Sequence, residues 1–326
     1  MSKLGYKVYN LIPWYAPSKR PQCFSNGECS TIFTALCRKY KYIIIGDLVS
    51  DGYGYIINGC SSKVIFEITN RFDAFVDENI EEYHRRFGLS LNDTNKDISI
   101  VMSSPYEDYY ACQRGVHIPL YHVIRSTGYI YGILDSSNIE KRNELIIVNR
   151  SSQDISISKT ELEKRFILFK LISPKDCNIN ILSQYKAQLI LPSHITNQII
   201  MENFKYGIVM IVPSKSLFRE IVSNINYTFG AKEILQIDDG LEKYTDWYNE
   251  EFKDLIIYFN SWDDIHNIMN NSDFDKIKLK AMKYAEEYED KIIEQWKEVL
   301  NNEEKHLISH DKPICKDSNF NDFHNY

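Results

Sequence analysis

The sequence lacks the short motifs that would identify a metal or cofactor chemistry directly. Its seven cysteines form no Cys-x-x-Cys pair, so neither a zinc site nor a disulfide framework is expected. The eight histidines form no His-Glu-x-x-His motif, and there is no Walker A loop and no Gly-x-Ser-x-Gly elbow. Gly-x-Gly-x-x-Gly is also missing. These absences argue against zinc hydrolysis, P-loop phosphate chemistry, serine hydrolysis and nicotinamide chemistry.

Long apolar runs and excess positive charge are missing as well. No run approaches 18 apolar residues, and the first ten residues contain no apolar signal core, so we expect no transmembrane segment and no ordinary secretion. The net charge of −7 gives no basic surface for nucleic acid. The expected location is a reducing compartment, the cytoplasm, or the host cytoplasm if the source is a virus.

Alternating strand and helix patterns run through the chain twice. Among them, Lys7–Ile12, Lys63–Thr69 and Ile98–Met102 are predicted strands, and Thr160–Phe169 is a predicted helix. With 326 residues and 44% hydrophobic content, the chain can build two domains of ordinary size. The pattern predicts an α/β fold with parallel sheets, in two Rossmann-like domains facing a cleft. Expected limits are 1–138 for the first domain and 139–273 for the second. A long C-terminal helix over 274–308 would return to the first domain, before a disordered tail at 309–326.

One strand–turn–helix–turn–strand unit organises the second half. Ala187–Leu191 is predicted as a buried strand, and Pro192 ends it. Ser193 is a good N-cap for a helix that reaches Phe204, and Gly207 is expected to end this helix as a left-handed C′ residue. Free N–H groups at such a helix start bind phosphates, so Ser193, His194 and Thr196 are candidate ligands. His194 has a second interpretation, since it could simply cap the helix.

Glu202 lies in this helix, which is otherwise apolar and uncharged until Lys205. A solvent-facing Glu is the simple interpretation. However, Glu202 with Gly207 five residues later and a β-rich run resembles the donor-binding helix of GT-B glycosyltransferases, Glu-Ala-Met-Ala-x-Gly-x-Pro-Val-Ile. In that family the Glu holds the ribose hydroxyls of a nucleotide sugar, which implies the same role for Glu202. The sequence departs from the family twice. His194 stands where many retaining members have a second Glu, and Val209 replaces the Pro.

A second resemblance covers the first half. The stretch Thr69-Asn70-Arg71-Phe72-Asp73, at the end of a predicted strand, is similar to the Thr-Asn-Arg-Phe-Asp stretch of a group of GT-B-like proteins from fungi and large DNA viruses. The pieces Tyr106-Glu107, Ile124-Arg125 and Asp246-Trp247-Tyr248 fit the same group. The resemblance implies that Asn70 and Arg71 lie on the acceptor side of the cleft. A capping turn with a local ion pair is the alternative for these residues.

The resemblance implies transfer of a hexosyl or pentosyl group from a nucleoside-diphosphate sugar to a glycan or another hydroxyl acceptor. Asp273-Phe274-Asp275 matches the metal-binding Asp-x-Asp of GT-A enzymes, but it opens a helix, where acids are ordinary caps. We therefore expect no required metal and no other cofactor. Basic side chains would neutralise the leaving diphosphate instead. The candidates are Arg150, Lys186 and Arg125, each of which could also be a plain surface charge.

An inverting reaction needs a base in the first domain to take the acceptor proton. Asp73 is the first candidate and Asp47 the second, because both follow predicted strands. The missing paired Glu favours inversion over retention. The alternative function is a non-catalytic sugar- or nucleotide-binding relative that kept the GT-B scaffold.

Overall fold

The structure, a computed structural model, describes most of the chain in seven stretches. They are residues 4–9, 30–76, 79–127, 142–149, 152–195, 198–224 and 241–309. The chain divides into two compact units. The first comprises Met1–Arg125 and Lys291–Tyr326, and the second Ser126–Asp290. Each unit contains one sheet, and the protein is of the α/β class.

Ten strands and eleven α-helices are formed by the described residues. The strands are β1 Tyr42–Gly46, β2 Lys63–Ile68, β3 Ile98–Met102, β4 Leu120–Val123, β5 Arg142–Val148, β6 Phe169–Ile172, β7 Tyr185–Leu189, β8 Met210–Pro213, β9 Ile257–Phe259 and β10 Ile308–Ser309. The helices are α1 Ser30–Lys39, α2 Tyr53–Asn58, α3 Ile80–Leu91, α4 Tyr106–Gln113, α5 Ser152–Lys164, α6 Ile179–Leu182, α7 Ile199–Tyr206, α8 Lys215–Asn224, α9 Leu241–Tyr244, α10 Asp264–Asn271 and α11 Phe274–Asn301.

The first sheet has the order β1-β2-β3-β4-β10. Its first four strands are parallel, and the short β10 pairs antiparallel with β4. Ile65 and Val101 are buried on one face together with Ile124, and they pack against Val299 and Leu300 of α11. The last turns of α11 therefore belong to the core of this unit. Successive residues of β2 and β3 are buried, on both faces of the sheet, which explains why these strands read as nearly continuous hydrophobic runs.

The second sheet is parallel throughout, with the order β6-β5-β7-β8-β9. Ile146 of β5 is fully buried against Ile179 and Leu182 of α6 and Ile208. Counted from β5, the strands follow the order 2-1-3-4-5 of doubly wound sheets. The strand order reverses between β5 and β7, and this reversal determines where a ligand is expected.

Several predicted element limits need correction. A helix was predicted over Thr160–Phe169, but α5 ends at Lys164 and the missed edge strand β6 begins at Phe169. The helix predicted from Ser193 begins only at Ile199. Gly207 ends that helix with φ of 65°, which confirms its predicted left-handed role. The strand predicted from Lys7 is absent over its described part, Lys7–Tyr9.

The expectation that the cysteines form no disulfide is wrong. Cys37 at the end of α1 and Cys60 after α2 are joined by a disulfide, with their Cα atoms 5.4 Å apart. Cys112 is disulfide-bonded as well. Disulfides persist chiefly in oxidising compartments, so these bonds argue against the cytoplasmic location, which stays a prediction. Among the described helices none is long and apolar enough to cross a membrane.

Candidate functional site

The carboxyl ends of β1, β2 and β3 meet at one edge of the first sheet, because these strands run parallel. Asp47 follows β1, and Asn70 follows β2 by two residues. Asn70 Nδ2 donates a hydrogen bond to Asp47 Oδ1 at 2.9 Å, and both side chains are exposed. Asp47 has φ of 63°, a left-handed conformation that Asp adopts more readily than most residues. The structure thus brings a predicted base and a predicted acceptor-side residue into contact.

Arg71, the next residue, is held in a fixed orientation. Its Nη1 donates to Glu107 Oε1 at 2.6 Å, and the Glu107 side chain is completely buried. The guanidinium carbon lies 4.6 Å from the ring centre of Tyr106 and 4.9 Å from that of Tyr110. This combination of an ion pair and two aromatic rings leaves Arg71 little rotational freedom, so it presents a fixed cation at the sheet edge.

Asp73 is buried, at 7% exposure, and surrounded by donors. Its Oδ2 lies 2.9 Å from His84 Nε2 and 3.2 Å from Arg114 Nε. Tyr110 Oη donates to Oδ1 at 3.0 Å. Burial alone would raise the pKa of Asp73, but the His84 hydrogen bond and the Arg114 charge outweigh it, and the pKa is lowered. An ionised carboxylate that already accepts three contacts is poorly suited to take a proton from a substrate.

The partners of Asp73 were missed by the sequence reasoning. His84 lies on α3, and Tyr110 and Arg114 lie on and just after α4. The four-residue spacing of Tyr110 and Arg114 places them on one face of α4, and the Arg114 guanidinium stacks 3.4 Å from the Tyr110 ring centre. That spacing was a usable signal. Nothing local pointed to His84, which is brought to Asp73 only by packing.

A second acid, Glu67, was also missed. It lies near the carboxyl end of β2, in register with Gly46 of β1. A Cβ at Gly46 would stand 3.2 Å from Glu67 Oε2, so the bare backbone of Gly46 gives this carboxyl room. Burial raises the pKa of Glu67, and no donor or counter-charge in the described part of the chain lowers it. An acid with a raised pKa at the carboxyl edge of a parallel sheet is better suited to take a proton from a substrate than one whose pKa is lowered.

In the second unit, the strand reversal between β5 and β7 marks the expected ligand position. In open α/β sheets, ligands bind outside the carboxyl ends of the strands at such a reversal. The loop after β7 carries Ser193 and His194, which therefore lie at this point. Two other predicted ligands, Arg150 and Thr196, lie outside the described residues.

Hydrogen bonds from Trp247 and Asp246 hold the loop from Ser193 to Ile195 in place. Trp247, which is fully buried, donates its Nε1–H to the His194 carbonyl at 2.8 Å. The Asp246 N–H donates to the Ile195 carbonyl at 3.3 Å. Ser193 Oγ lies 3.0 Å from His194 Nδ1, and the His194 side chain is exposed. Ser193 is thus part of a fixed loop, and its predicted N-cap role is wrong because Gln198 holds that position.

Glu202 occupies the first turn of α7, and its side chain is half-buried. An acid there interacts favourably with the positive end of the helix, with or without a ligand. The ribose-binding role of Glu202 stays a prediction.

Lys186 and Arg125 occupy different places. Lys186 lies at the amino end of β7, where its Nζ donates to the Met269 carbonyl at 2.6 Å. It is therefore at the opposite edge of the sheet from Ser193 and is not brought together with it. Arg125 follows β4 in the first unit and is partly buried. Within the described stretches, no cluster of three or more His, Cys, Asp or Glu residues could hold a metal ion.

Comparison with known proteins adds no family assignment. No protein-family model matches this chain, and no curated protein matches it significantly.

Proposed function

We propose that the protein is a glycosyltransferase of the GT-B type, which moves a sugar from a nucleoside-diphosphate donor to a hydroxyl acceptor. The observation that carries this proposal is the position of the Ser193–His194 loop at the strand reversal of a parallel sheet. The following helix, α7, carries Glu202 and ends at Gly207, as in the family it resembles. Donor binding in the second unit is the first part of the proposed function.

The acceptor belongs to the first unit in this proposal. Support comes from the polar edge of the first sheet. There Asp47 offers carboxylate oxygens as hydrogen-bond acceptors, Asn70 an amide, and Arg71 a cation in a fixed position. Such groups suit a polyhydroxylated acceptor. Arg71 is partly neutralised by Glu107, so it serves better as a donor of hydrogen bonds than as a binding site for a free anion.

The proton acceptor in an inverting reaction must be ionisable near neutral pH and able to accept a bond. Asp73 fits this poorly, because His84, Tyr110 and Arg114 already occupy its oxygens. We assign the base role to Glu67, with Asp47 as the neighbouring alternative. Asp73 would then be a positioning residue that fixes His84 and Arg114. Basic side chains and backbone N–H groups, rather than a required metal, would stabilise the leaving diphosphate.

The test is a thermal-shift screen of UDP-, GDP- and CMP-sugars, followed by a turnover assay with the donor that binds. A donor at 100 times its dissociation constant should stabilise the protein by about 2.7 kcal/mol. Binding with release of the nucleoside diphosphate on adding an acceptor supports the transferase. Binding without turnover, against a panel of hydroxyl acceptors, supports the non-catalytic relative. If no nucleotide or nucleotide sugar shifts the melting temperature, the proposal fails.

A further inference from the structure

A cavity of about 360 Å³ lies at the amino edge of the second sheet, on the opposite side from the Ser193–His194 loop. It is bordered by the first residues of β5 and β7, by the turn after Gly207 and by the start of α11. Its size lies at the lower end of the range for small-molecule sites, which is about 300–1,000 Å³. The cavity takes no part in the proposed sugar transfer.

Among the described residues that line this cavity, three are cations and one is an acid. The cations are Arg142, Lys186 and Lys278, and the acid is Asp275. The formal excess of two positive charges matches a phosphate monoester, which carries close to two negative charges at neutral pH. An isolated cluster of like charges is unfavourable unless something balances it. A dianion in the cavity would supply that balance.

Two of the three cations, Lys186 and Arg142, make contacts that favour particular positions. Lys186 Nζ lies 4.9 Å from the centre of the Phe274 ring, and it donates to the Met269 carbonyl. The Arg142 guanidinium lies 5.7 Å from the ring centre of Tyr185. Both side chains therefore have preferred positions before any ligand arrives, which lowers the entropic cost of binding.

Gly207 lets the third cation approach. Its φ is 65°, and a Cβ at this position would lie 2.7 Å from Lys278 Cγ. The stem of Lys278 thus packs directly on the backbone of Gly207, and Lys278 lines the cavity there. A side chain at residue 207 would both strain the backbone and push Lys278 away.

We propose that this cavity binds a phosphorylated small molecule, with Arg142, Lys186 and Lys278 contacting the phosphate. The site is separate from the donor position at the other edge of the sheet. A strand advances about 3.3 Å per residue, so Lys186 and the loop beyond Leu191 are separated by roughly 15 Å or more. The phosphate group is the recognised chemistry, and the remaining volume accommodates an attached organic part.

The experiment uses the whole chain and three probes, namely inorganic phosphate, ribose 5-phosphate and uncharged ribose, at constant ionic strength. Calorimetry and NMR chemical shifts measure binding. We expect both phosphate-bearing probes to bind and ribose not to bind. The variant Arg142→Gln with Lys278→Met should weaken binding by about tenfold or more for each cation removed. Lys283→Met is the matched control, because Lys283 lies on α11 away from the cavity and pairs with Glu287.

Two further variants keep the proposal falsifiable. Ser193→Ala with His194→Ala should leave unchanged the phosphate-dependent NMR shifts of residues that line this cavity, such as Tyr185, since Ser193 and His194 lie at the other edge. If the double cation variant does not fold, Lys278→Met alone should still weaken binding, and Lys278→Arg should retain it. The proposal is overturned if inorganic phosphate does not bind at millimolar concentration, if the cation variants bind as the wild type does, or if binding is lost only in the Ser193 and His194 variant.

Discussion

The carboxylate of Asp73 lies 2.9 Å from Nε2 of His84, deep in the first unit. An ionised carboxylate can only accept hydrogen bonds, so Nε2 of His84 carries a proton and donates the hydrogen bond to Asp73. Tyr110 donates to the other oxygen of Asp73, and burial together with the Asp73 charge raises the pKa of Tyr110. The phenol therefore remains a hydrogen-bond donor. This cluster joins the loop after β2 to α3 and α4, which makes its first role structural.

Asp73→Asn should destabilise the first unit by about 3 kcal/mol at pH 7, because it removes the charge that buried partners require. The pKa of Asp73 is lowered on folding. Its contribution is therefore complete above the ordinary Asp pKa of about 3.9, and it is lost as pH falls through the folded value. Urea unfolding of the wild type and of Asp73→Asn, at pH 7 and at acidic pH, measures the contribution of Asp73 to stability. The difference between the variant and the wild type should shrink in acid.

Asp290→Asn is the matched control, since Asp290 is exposed on α11. It should change stability by less than about 0.5 kcal/mol at both pH values. If instead Asp73→Asn folds normally and only turnover falls, by about 10²–10⁴ with donor affinity unchanged, Asp73 is the base after all.

Glu67→Gln should have the opposite effect on stability. The pKa of Glu67 is raised by burial, so folding favours the protonated form. The contribution of this carboxyl is present below its unfolded pKa and is lost as pH rises through the folded pKa. Gln has no charge to desolvate. At the alkaline end of the pH range, we therefore expect the free energy of unfolding of Glu67→Gln to exceed that of the wild type by about 1 kcal/mol. Unfolding measured across pH 4 to about pH 8 tests this sign.

The same substitution tests the assigned base. Turnover should fall by about 10²–10⁴, while donor affinity remains unchanged. Asp47→Asn, at the neighbouring position, is the informative comparison. A large loss with Asp47→Asn and none with Glu67→Gln would move the base to Asp47.

The strands could be predicted well where both of their faces are buried. Ile98–Met102 matches β3 at both ends, and Lys63–Thr69 overshoots β2 by one residue, because continuous apolar runs identify buried parallel strands. Gly207 was predictable for a similar reason, since few other residues adopt its backbone conformation. These features depend only on nearby residues.

Other features depend on contacts distant in sequence and could not be predicted. The start of α7 is displaced from Ser193 because the preceding loop bonds to Trp247, 53 residues away from His194. The contact between Asp73 and His84 requires α3 to pack against the sheet edge. The pairing of Cys37 with Cys60 spans 23 residues, and cysteine spacing alone does not reveal it. The GT-B relationship itself stays a prediction.

The disulfide should contribute measurably to stability. Cys37 and Cys60 are 23 residues apart in sequence, and their bond closes the chain between them into a loop. The loss of entropy of the unfolded chain for a loop of this length stabilises the folded protein by about 3 kcal/mol. The variant Cys37→Ser with Cys60→Ser should lose roughly that amount in urea unfolding. Adding a reductant should destabilise the wild type more than this variant. Mass spectrometry after alkylation checks that the bond is present. If both cysteines are alkylated without prior reduction, the Cys37–Cys60 disulfide is absent and this part of the structure is wrong.

Metal dependence is the next test. If basic side chains and N–H groups neutralise the leaving diphosphate, transfer should continue in excess EDTA. Turnover that stops in EDTA and returns with Mn²⁺ or Mg²⁺ would contradict a GT-B mechanism. Asp273→Ala provides a control, because Asp273 Oδ1 accepts the Lys276 N–H and so caps α11. Its loss should lower stability by about 1 kcal/mol without changing metal dependence.

Glu202→Gln tests whether the donor ribose is bound at α7. If the carboxylate accepts bonds from two ribose hydroxyls, each charge-assisted bond contributes about 1.5–3 kcal/mol. Replacing the charge with a neutral amide should cost about 2–3 kcal/mol, a loss of about 30- to 150-fold in donor affinity measured by calorimetry. The free nucleoside diphosphate should lose as much as the sugar donor, since both share the ribose. Fold stability should change little, because Gln is nearly as good a helix former as Glu.

A 2′,3′-dideoxyribose nucleotide, which lacks both hydroxyls, separates a direct bond from an indirect effect of Glu202. It should bind the wild type weakly and the Glu202→Gln variant about equally weakly, because the bonding partner is already absent. Glu286→Gln is the matched control, since Glu286 is an exposed helical Glu on α11. It should bind every nucleotide as the wild type does. If Glu202→Gln also binds every nucleotide with wild-type affinity, Glu202 is a solvent-facing residue in the first turn of its helix, and the resemblance to the donor-binding helix loses its main support.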